Sequence, residues 1–281
     1  MYITEKCAQC LYTKQEETTK DPGYLQEVRT LLDRRRKEDT APYMVYLFDQ
    51  AYRRRFGTGS VSYAGIKKQF NDLALSLEEE ARTRILAASD PLLESIVLAR
   101  VGNYIDFGTL AGVNADTFSG LFADAKASDA DRRTYQSFLR QCEKGKTFLL
   151  AADNCGEIVF DRLMLEQLRD RFPQLERYVL VRGKEVLNDV TPEDAAYVGL
   201  DRVAHIISNG EALAGTIYEM LPPDVRRILD QADVVLSKGQ GNYESLSRQG
   251  RHAFYAFLCK CDLFTERYQV PRFTGIFIEE G

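Results

Sequence analysis

Short apolar segments alternate with helical segments in the second half of the chain, and this alternation restricts the possible folds more than any other feature. The runs suited to buried strands are residues 146–152, 177–182, 202–208, 233–237 and 273–278. Helical patterns lie between them at residues 157–172, in a short segment after Thr191, and at residues 222–231. Strands joined by helices form a mostly parallel sheet with helices on both faces. We therefore predict an α/β fold for this half.

The first half of the chain is predicted to be helical. Apolar residues recur at helical spacing in residues 24–37, 42–56, 60–77, 77–89 and 92–101. Pro91 is predicted to lie in the first turn of the last of these helices. At that position the backbone N–H has no partner within the helix, so proline removes no helical hydrogen bond. We place the boundary near residue 140, with a helical subdomain at residues 1–140 packed on an α/β domain at residues 141–281.

The charge balance argues against a nucleic-acid-binding protein. Lys and Arg number 37 against 42 Asp and Glu, a formal net charge of -5, whereas nucleic-acid binding normally needs a basic surface. No segment is long and apolar enough to cross a bilayer, and the first residues contain no apolar signal-peptide core. The six cysteines are sparse for 281 residues, which favours free thiols. We expect a cytoplasmic protein with no membrane or nucleic-acid partner.

Polar residues follow the first four predicted strands. In chain order they are Asp153, Asn154, Glu157, Asp189, Asn209, Lys238 and Asn242. Because ligands bind at the carboxyl ends of parallel strands, we expect these side chains to converge. Asp153, Asn154 and Asp189 offer the oxygen ligands that Mg²⁺ or Mn²⁺ prefers, and Lys238 can neutralise phosphate charge. The alternative is that each loop is an ordinary turn or helix cap.

Glycines in these loops allow other interpretations. The Gly-x-Gly at residues 239–241 suggests a dinucleotide-binding loop, but Glu244 stands where the third glycine is needed, so the fingerprint is incomplete. Lys238 precedes the glycines, which excludes a Walker A loop. The helix that begins after Gly156 can point backbone N–H groups at an anion.

A link between predicted helices, residues 102–108, carries two glycines, an amide and a carboxylate. One interpretation is a helix end at Gly102 followed by a turn. The functional interpretation is that Asn103 and Asp106 reach over the sheet edge from the helical portion and contact a ligand.

The cysteines and histidines give weaker signals. Cys7 and Cys10 have the spacing of half a zinc site, but the pair at residues 259 and 261 is closer than zinc ribbons use. We therefore favour thiols without a metal. His205 lies in an apolar strand pattern, which favours a buried structural histidine.

Taken together, these motifs resemble those of the metal-dependent damage-control phosphatases, a family once classed as a domain of unknown function. Some of its members carry a protein-glutamate methyltransferase-like name. The resemblance runs along nearly the whole chain, and the Cys7/Cys10 pair resembles the microbial branch of the family. The matching pieces are Cys7-x-x-Cys10, residues 102–106, Asp153-Asn154-x-Gly156-Glu157 with Asp161, residues 188–191, Ser208-Asn209-Gly210, Ala232-Asp233, residues 238–244 and Lys260-Cys261.

The resemblance implies a helical subdomain on a Rossmann-like α/β domain. It also implies hydrolysis of small phosphorylated metabolites, sugar phosphates among them, with one divalent cation (Mn²⁺, Mg²⁺, Co²⁺ or Ni²⁺). The family's metal ligands correspond to Asp153, Asn154 and Asp189, and its phosphate-contacting lysine corresponds to Lys238.

We predict catalytic roles for Asp153, Asp189 and Lys238. Asp153 is either a nucleophile that forms an aspartyl-phosphate or a ligand beside a metal-activated water. The residues predicted to orient the substrate are Asn103, Asp106, Glu157, Asn209 and Asn242, together with Lys238. Two other functions stay open: an S-adenosylmethionine-dependent methyltransferase with its cofactor at residues 238–244, and a non-catalytic protein that binds metal and metabolite in the same pocket.

Overall fold

The computed structural model describes residues 3–57, 62–104, 120, 122–247 and 249–281. Before the sheet the chain forms helices, as predicted. They are α1 (Glu5–Thr18), α2 (Pro22–Asp33), α3 (Ala41–Phe56), α4 (Ala64–Ser76), α5 (Glu78–Ala87), α6 (Pro91–Gly102) and α7 (Asp129–Lys144).

Side-chain caps fix where several of these helices begin. The side chains of Thr4, Asp21, Thr40 and Asp90 each accept a hydrogen bond from the backbone N–H three residues on, at the starts of α1, α2, α3 and α6. Such caps satisfy N–H groups that have no partner within the helix. Proline in the first turn of α2, α3 and α6 reinforces the same boundaries.

Six strands in the described residues form one sheet with the order β3-β2-β1-β4-β5-β6. They are β1 (Thr147–Ala151), β2 (Glu176–Val181), β3 (His205–Ser208), β4 (Val234–Lys238), β5 (Ala253–Leu258) and β6 (Gly275–Glu280). The first five run parallel, and β6 pairs antiparallel with β5 at one edge. The predicted α/β fold with a mostly parallel sheet is confirmed.

Helices cover both faces of this sheet. Between and after the strands lie α8 (Glu157–Arg171), α9 (Pro192–Tyr197), α10 (Pro223–Gln231), α11 (Gln240–Leu246) and α12 (Asp262–Tyr268). Alternate residues of β1 enter different cores: Phe148 and Leu150 pack with α4 to α8, whereas Leu149 packs with α10, α11 and α12. A third, smaller core joins α1, α2 and α3.

The helices before the sheet and the sheet itself share a core. The predicted boundary at residue 140 falls inside α7, and Phe138 of this helix packs with Phe148 of β1. Helix α6 is buried over most of its length and packs against α8. The division into residues 1–140 and 141–281 stays a prediction. Among the residues described, no helix combines the length and the apolar character that a membrane crossing needs.

The structure corrects three details of the sequence interpretation. Strand β3 begins at His205 rather than at residue 202, because Leu200–Arg202 forms a turn of 3₁₀ helix. His205 is therefore exposed at the start of an edge strand, and its predicted burial is wrong. Strand β5 was not predicted, although its continuous apolar run resembles those of β1 and β4.

Close backbone packing between the ends of β2 and β3 gives a test of the fold. A Cβ added at Gly183 would lie 2.4 Å from the Gly210 Cα, so Gly183→Ala should destabilise the protein by about 1–3 kcal/mol. Gly65, in the first turn of α4, has no atom within 4 Å of such a Cβ. Gly65→Ala should stabilise by about 0.5 kcal/mol. Urea unfolding measures both, and equal midpoints for the two variants would contradict the packing described.

Candidate active site

The carboxyl ends of β1, β2 and β4 meet where the chain order of the sheet reverses. Strand β1 lies between β2 and β4, so the connections leaving β1 and β4 diverge to opposite sides. Such a switch point opens a crevice that binds ligands in α/β proteins. Asp153 follows β1, Arg182 follows β2, and Lys238 is the last residue of β4.

The loops after β1 and β2 are held side by side by backbone pairing. Asn154 and Asp189 form an isolated antiparallel bridge, and the Val190 N–H donates to the Asp153 carbonyl at 3.0 Å. The Asn154 side-chain amide donates to Asp153 Oδ2 at 2.8 Å. Three predicted metal ligands, Asp153, Asn154 and Asp189, are therefore brought together by the fold.

Arg182, which the sequence analysis did not single out, lies between the two carboxylates. Its side chain is 0% exposed. Nε donates to Asp189 Oδ2 at 2.6 Å, and Nη2 lies 3.7 Å from Asp153 Oδ1. Nη1 donates to the Gly215 carbonyl and to Asn242 Oδ1, both at 3.1 Å. The one available signal was a charged residue at the end of an apolar strand.

On the other side of Asp153, Asn103 connects it to a second buried charge cluster. The Asn103 amide donates to Asp153 Oδ2 at 3.0 Å and to Glu157 Oε2 at 2.7 Å. The Lys238 ammonium lies 2.6 Å from both Glu157 Oε1 and Asp161 Oδ1 and donates to the Ala99 carbonyl at 3.1 Å. The end of helix α6 thus supplies a carbonyl to this cluster, and Asn103, directly after the helix, supplies an amide. That Asn103 contacts a ligand stays a prediction.

Burial and mutual attraction set the ionisation of this cluster. Burial raises the pKa of Glu157 and of Asp161, and the Lys238 ammonium opposes that rise. Burial alone would lower the pKa of Lys238, but the Asp161 and Glu157 carboxylates raise it to about 12. Lys238 therefore stays charged, and in this structure its ammonium group is buried against the two carboxylates.

Two predicted substrate contacts are engaged within the protein. The Asn242 amide donates to the Ala152 and Lys238 carbonyls at 2.8 Å, and its Oδ1 accepts from Arg182 and Thr216. Asn209 is engaged in the same way: its Oδ1 accepts from two backbone N–H groups, and its amide donates to two carbonyls of the loop after β3. Asp106 lies outside the described residues.

The glycines of the site have specific roles. Gly239 has a φ of +77, and a Cβ there would lie 2.0 Å from Asp153 Oδ2. Its backbone therefore packs directly against the Asp153 carboxylate. Gly156 precedes α8 with a φ of +83, and its N–H donates to Asn71 Oδ1 at 2.7 Å. That N–H is thus bonded to α4 rather than directed at an open crevice.

The oxygen set of Asp153, Asn154 and Asp189 fits a hard divalent cation by its chemistry. Two carboxylates and one buried guanidinium sum to a single negative charge, which attracts a cation. Within the described ranges, no three His, Cys, Asp or Glu side chains are grouped so as to hold a metal ion. The predicted ligand set differs from such a group, because it consists of two aspartates and one asparagine. The six cysteines are unpaired.

A cavity of about 620 Å³ lies away from this cluster. It is bounded by Arg36 in the segment between α2 and α3, by Tyr43 in the first turn of α3, by Tyr218, and by Ser245 of α11. None of the predicted site residues lines it. This cavity is therefore separate from the cluster at the strand ends.

Comparison with known proteins gives a consistent result. The family model described as the damage-control phosphatase ARMT1-like domain matches residues 2–274. A damage-control phosphatase from Archaeoglobus fulgidus is 28% identical over 273 residues, which cover 93% of this chain and 93% of that protein. A damage-control phosphatase from Pyrococcus horikoshii is 26% identical over 181 residues, covering 63% of this chain and 61% of its own.

A solved structure shares the fold. The crystal structure of a DUF89 family protein from Pyrococcus horikoshii matches with a TM-score of 0.81 and covers 100% of both chains. Its sequence identity of 20% limits this likeness to the architecture.

The contact between Gly239 and Asp153 predicts a sensitive position. Gly239→Ala places a methyl group on the Asp153 carboxylate and forces a left-handed backbone on alanine. We expect displacement of Asp153 and loss of most phosphatase activity, measured as phosphate release. Gly65→Ala serves as the control, because its added methyl group meets nothing. Full activity of Gly239→Ala would show that phosphate release does not depend on the observed position of the Asp153 carboxylate.

The buried lysine cluster predicts a pH-dependent loss of stability. Lys238→Met leaves Glu157 and Asp161 without their cation and should cost about 3–5 kcal/mol near pH 8. A carboxyl whose pKa is raised by folding holds its proton better in the native state, so its stabilising contribution is present at low pH and is lost as the pH rises. The deficit of the variant should therefore shrink towards pH 5.

Urea unfolding of wild type and variant at both pH values tests this prediction. Lys68→Met is the matched control, since Lys68 is 62% exposed in its pair with Asp72 and should change stability by less than about 0.5 kcal/mol. A deficit for Lys68→Met as large as that for Lys238→Met, or one independent of pH, would contradict the burial argument.

Proposed function

The chain belongs to the damage-control phosphatase family, as its motifs predicted, and we propose that it hydrolyses phosphomonoesters of small metabolites with one bound divalent cation. The family makes it a phosphatase that acts on damaged metabolites. The metal dependence and the substrate class, for which sugar phosphates are the first choice, are the proposed parts.

The observation that supports this proposal is the meeting of Asp153, Asn154 and Asp189 at the switch point of the sheet. These side chains would hold the cation. Their oxygen atoms favour Mg²⁺ or Mn²⁺, and the family resemblance adds Co²⁺ and Ni²⁺. With Arg182 between the carboxylates, one divalent cation changes the local charge from a single negative to a single positive. A phosphate dianion is attracted to the second state and repelled by the first.

When bound, the cation supplies Lewis-acid stabilisation of the charge on the transferring phosphoryl group. The protein contributes orientation. Asp153 Oδ2 accepts hydrogen bonds from Asn103 and Asn154, which fix the plane of its carboxylate. That carboxylate serves either as a nucleophile that forms an aspartyl-phosphate or as the group that orients an attacking water. We propose Lys238, Asn209, Asn242 and Asp106 as further groups around the substrate, as the family resemblance and the loop positions suggest.

The methyltransferase alternative has less support. An S-adenosylmethionine site needs a glycine-rich loop after the first strand, where this chain has Asp153 and Asn154. The glycine loop after β4 begins at Gly239, whose backbone is packed against the Asp153 carboxylate. The non-catalytic alternative uses the same pocket and differs only in turnover. We also propose a cytoplasmic location, in line with the unpaired cysteines.

Phosphate release from a panel of sugar phosphates tests the proposal. We expect release with Mn²⁺, Co²⁺, Ni²⁺ or Mg²⁺ and none after chelation. Asp189→Asn should lower kcat/KM by about 100-fold or more, since it removes the negative charge of one metal ligand. Asp201→Asn, at an exposed aspartate outside the site, should leave the activity unchanged. Phosphate release that survives both chelation and Asp189→Asn would rule out the proposed site.

A further inference from the structure

We propose that Arg182 is a positioning residue, which holds the Asp189 carboxylate in the orientation that metal binding requires. This inference rests on the proposed function, because it concerns the same metal site. It assigns a role to a residue that neither the motifs nor the predicted ligand set includes. Arg182 is among the largest fully buried side chains in the described part of the chain.

The contacts of Arg182 reach the segments that follow β1, β2, β3 and β4. It leaves the end of β2, pairs with Asp189 in the following loop, approaches Asp153 after β1, and donates to Gly215 after β3 and to Asn242 in α11. A guanidinium group presents its donors in a rigid planar fork. The hydrogen bonds to Gly215 and Asn242 therefore fix the orientation of the guanidinium group, and the guanidinium group in turn orients the Asp189 carboxylate.

The two carboxylates depend on Arg182 to different degrees. Asp189 Oδ2 lies 2.6 Å from Nε in a charge-assisted hydrogen bond. Asp153 Oδ1 is 3.7 Å from Nη2, and Nη2 has no hydrogen-bond partner among the residues that the structure describes. Asp153 is instead oriented through Oδ2 by Asn103 and Asn154. Loss of Arg182 should therefore act mainly on Asp189.

Two opposite effects decide how Arg182 changes metal affinity. Its positive charge repels a nearby cation, which weakens binding. Its hydrogen bond orients Asp189 and offsets the repulsion between two buried carboxylates, which strengthens binding. Groups that orient metal ligands typically change metal affinity by about 10–100-fold when mutated. Because Arg182 is already neutralised by Asp189 at 2.6 Å, we infer that orientation outweighs repulsion.

Calorimetric titration with Mn²⁺ alone measures this effect without any assay of activity. Arg182→Ala should weaken Mn²⁺ binding by about 10-fold or more. Millimolar guanidinium ion, far below denaturing concentrations, should restore part of the affinity by occupying the space left by the side chain. Arg182→Lys keeps the charge but loses the fork, and it too should bind Mn²⁺ more weakly than the wild type.

The matched control is Arg100→Ala. Arg100 forms a similar ion pair with Asp131 at 2.7 Å, the side chains being 8% and 6% exposed against 0% and 4% for Arg182 and Asp189. It has no hydrogen bond or ion pair with Asp153 or Asp189 among the described residues. It should lose stability in urea unfolding but keep the wild-type Mn²⁺ affinity. If Arg182→Ala does not fold, the result for Arg182→Lys decides the question.

The outcomes separate the inference from the function on which it rests. Unchanged or tighter Mn²⁺ binding in the Arg182 variants, or weaker binding when guanidinium ion is added, would overturn the positioning role while the wild type still binds Mn²⁺. A wild-type protein that binds no Mn²⁺ would overturn the proposed metal site itself, and the inference with it.

Discussion

The Asp153 carboxylate lies between two fully buried cations, and the arrangement of the crevice depends on how its two oxygens are engaged. Oδ1 approaches Arg182, while Oδ2 accepts from Asn103 and Asn154. Through Asn103 the network continues to Glu157 and the Lys238 ammonium. Buried charges are stable only when paired and hydrogen-bonded. Arg182 and the amides of Asn103 and Asn154 supply that pairing for Asp153, and Lys238 supplies it for Glu157.

This network gives the helical portion of the chain a part in the site. Helix α6 supplies the Ala99 carbonyl that contacts Lys238, and Asn103, directly after this helix, supplies the amide that contacts Glu157. The α/β portion supplies the carboxylates and both cations from the ends of β1, β2 and β4. Neither portion could hold Asp153 as observed without the other, because Oδ2 takes one donor from each. The shared core beneath α6 and α8 is the physical basis for this arrangement.

The sequence predicted those features that depend on local pattern. Strands separated by helices implied parallel pairing, and parallel pairing implied that Asp153, Asn154 and Asp189 would meet at one edge. Features set by tertiary contacts were beyond its reach. Arg182 looks like an ordinary strand residue until the sheet places it between two carboxylates. Strand β5 has no periodicity to distinguish it from a buried helix segment.

The same limit applies to the roles of polar side chains. Asn242 and Asn209 were predicted to contact substrate because they follow strands. Their hydrogen bonds to the backbone of neighbouring loops join segments that are distant in the sequence and meet only in the folded protein. Lys238 was predicted as a phosphate contact from its place after a strand. Its burial between Glu157 and Asp161 follows from the packing of α8 on the sheet.

Anomalous diffraction from crystals grown with Mn²⁺ would locate the proposed metal without reference to activity. We expect one strong manganese peak in contact with the side chains of Asp153, Asn154 and Asp189. A fully occupied peak elsewhere in the protein, with none at these three residues, would contradict this expectation.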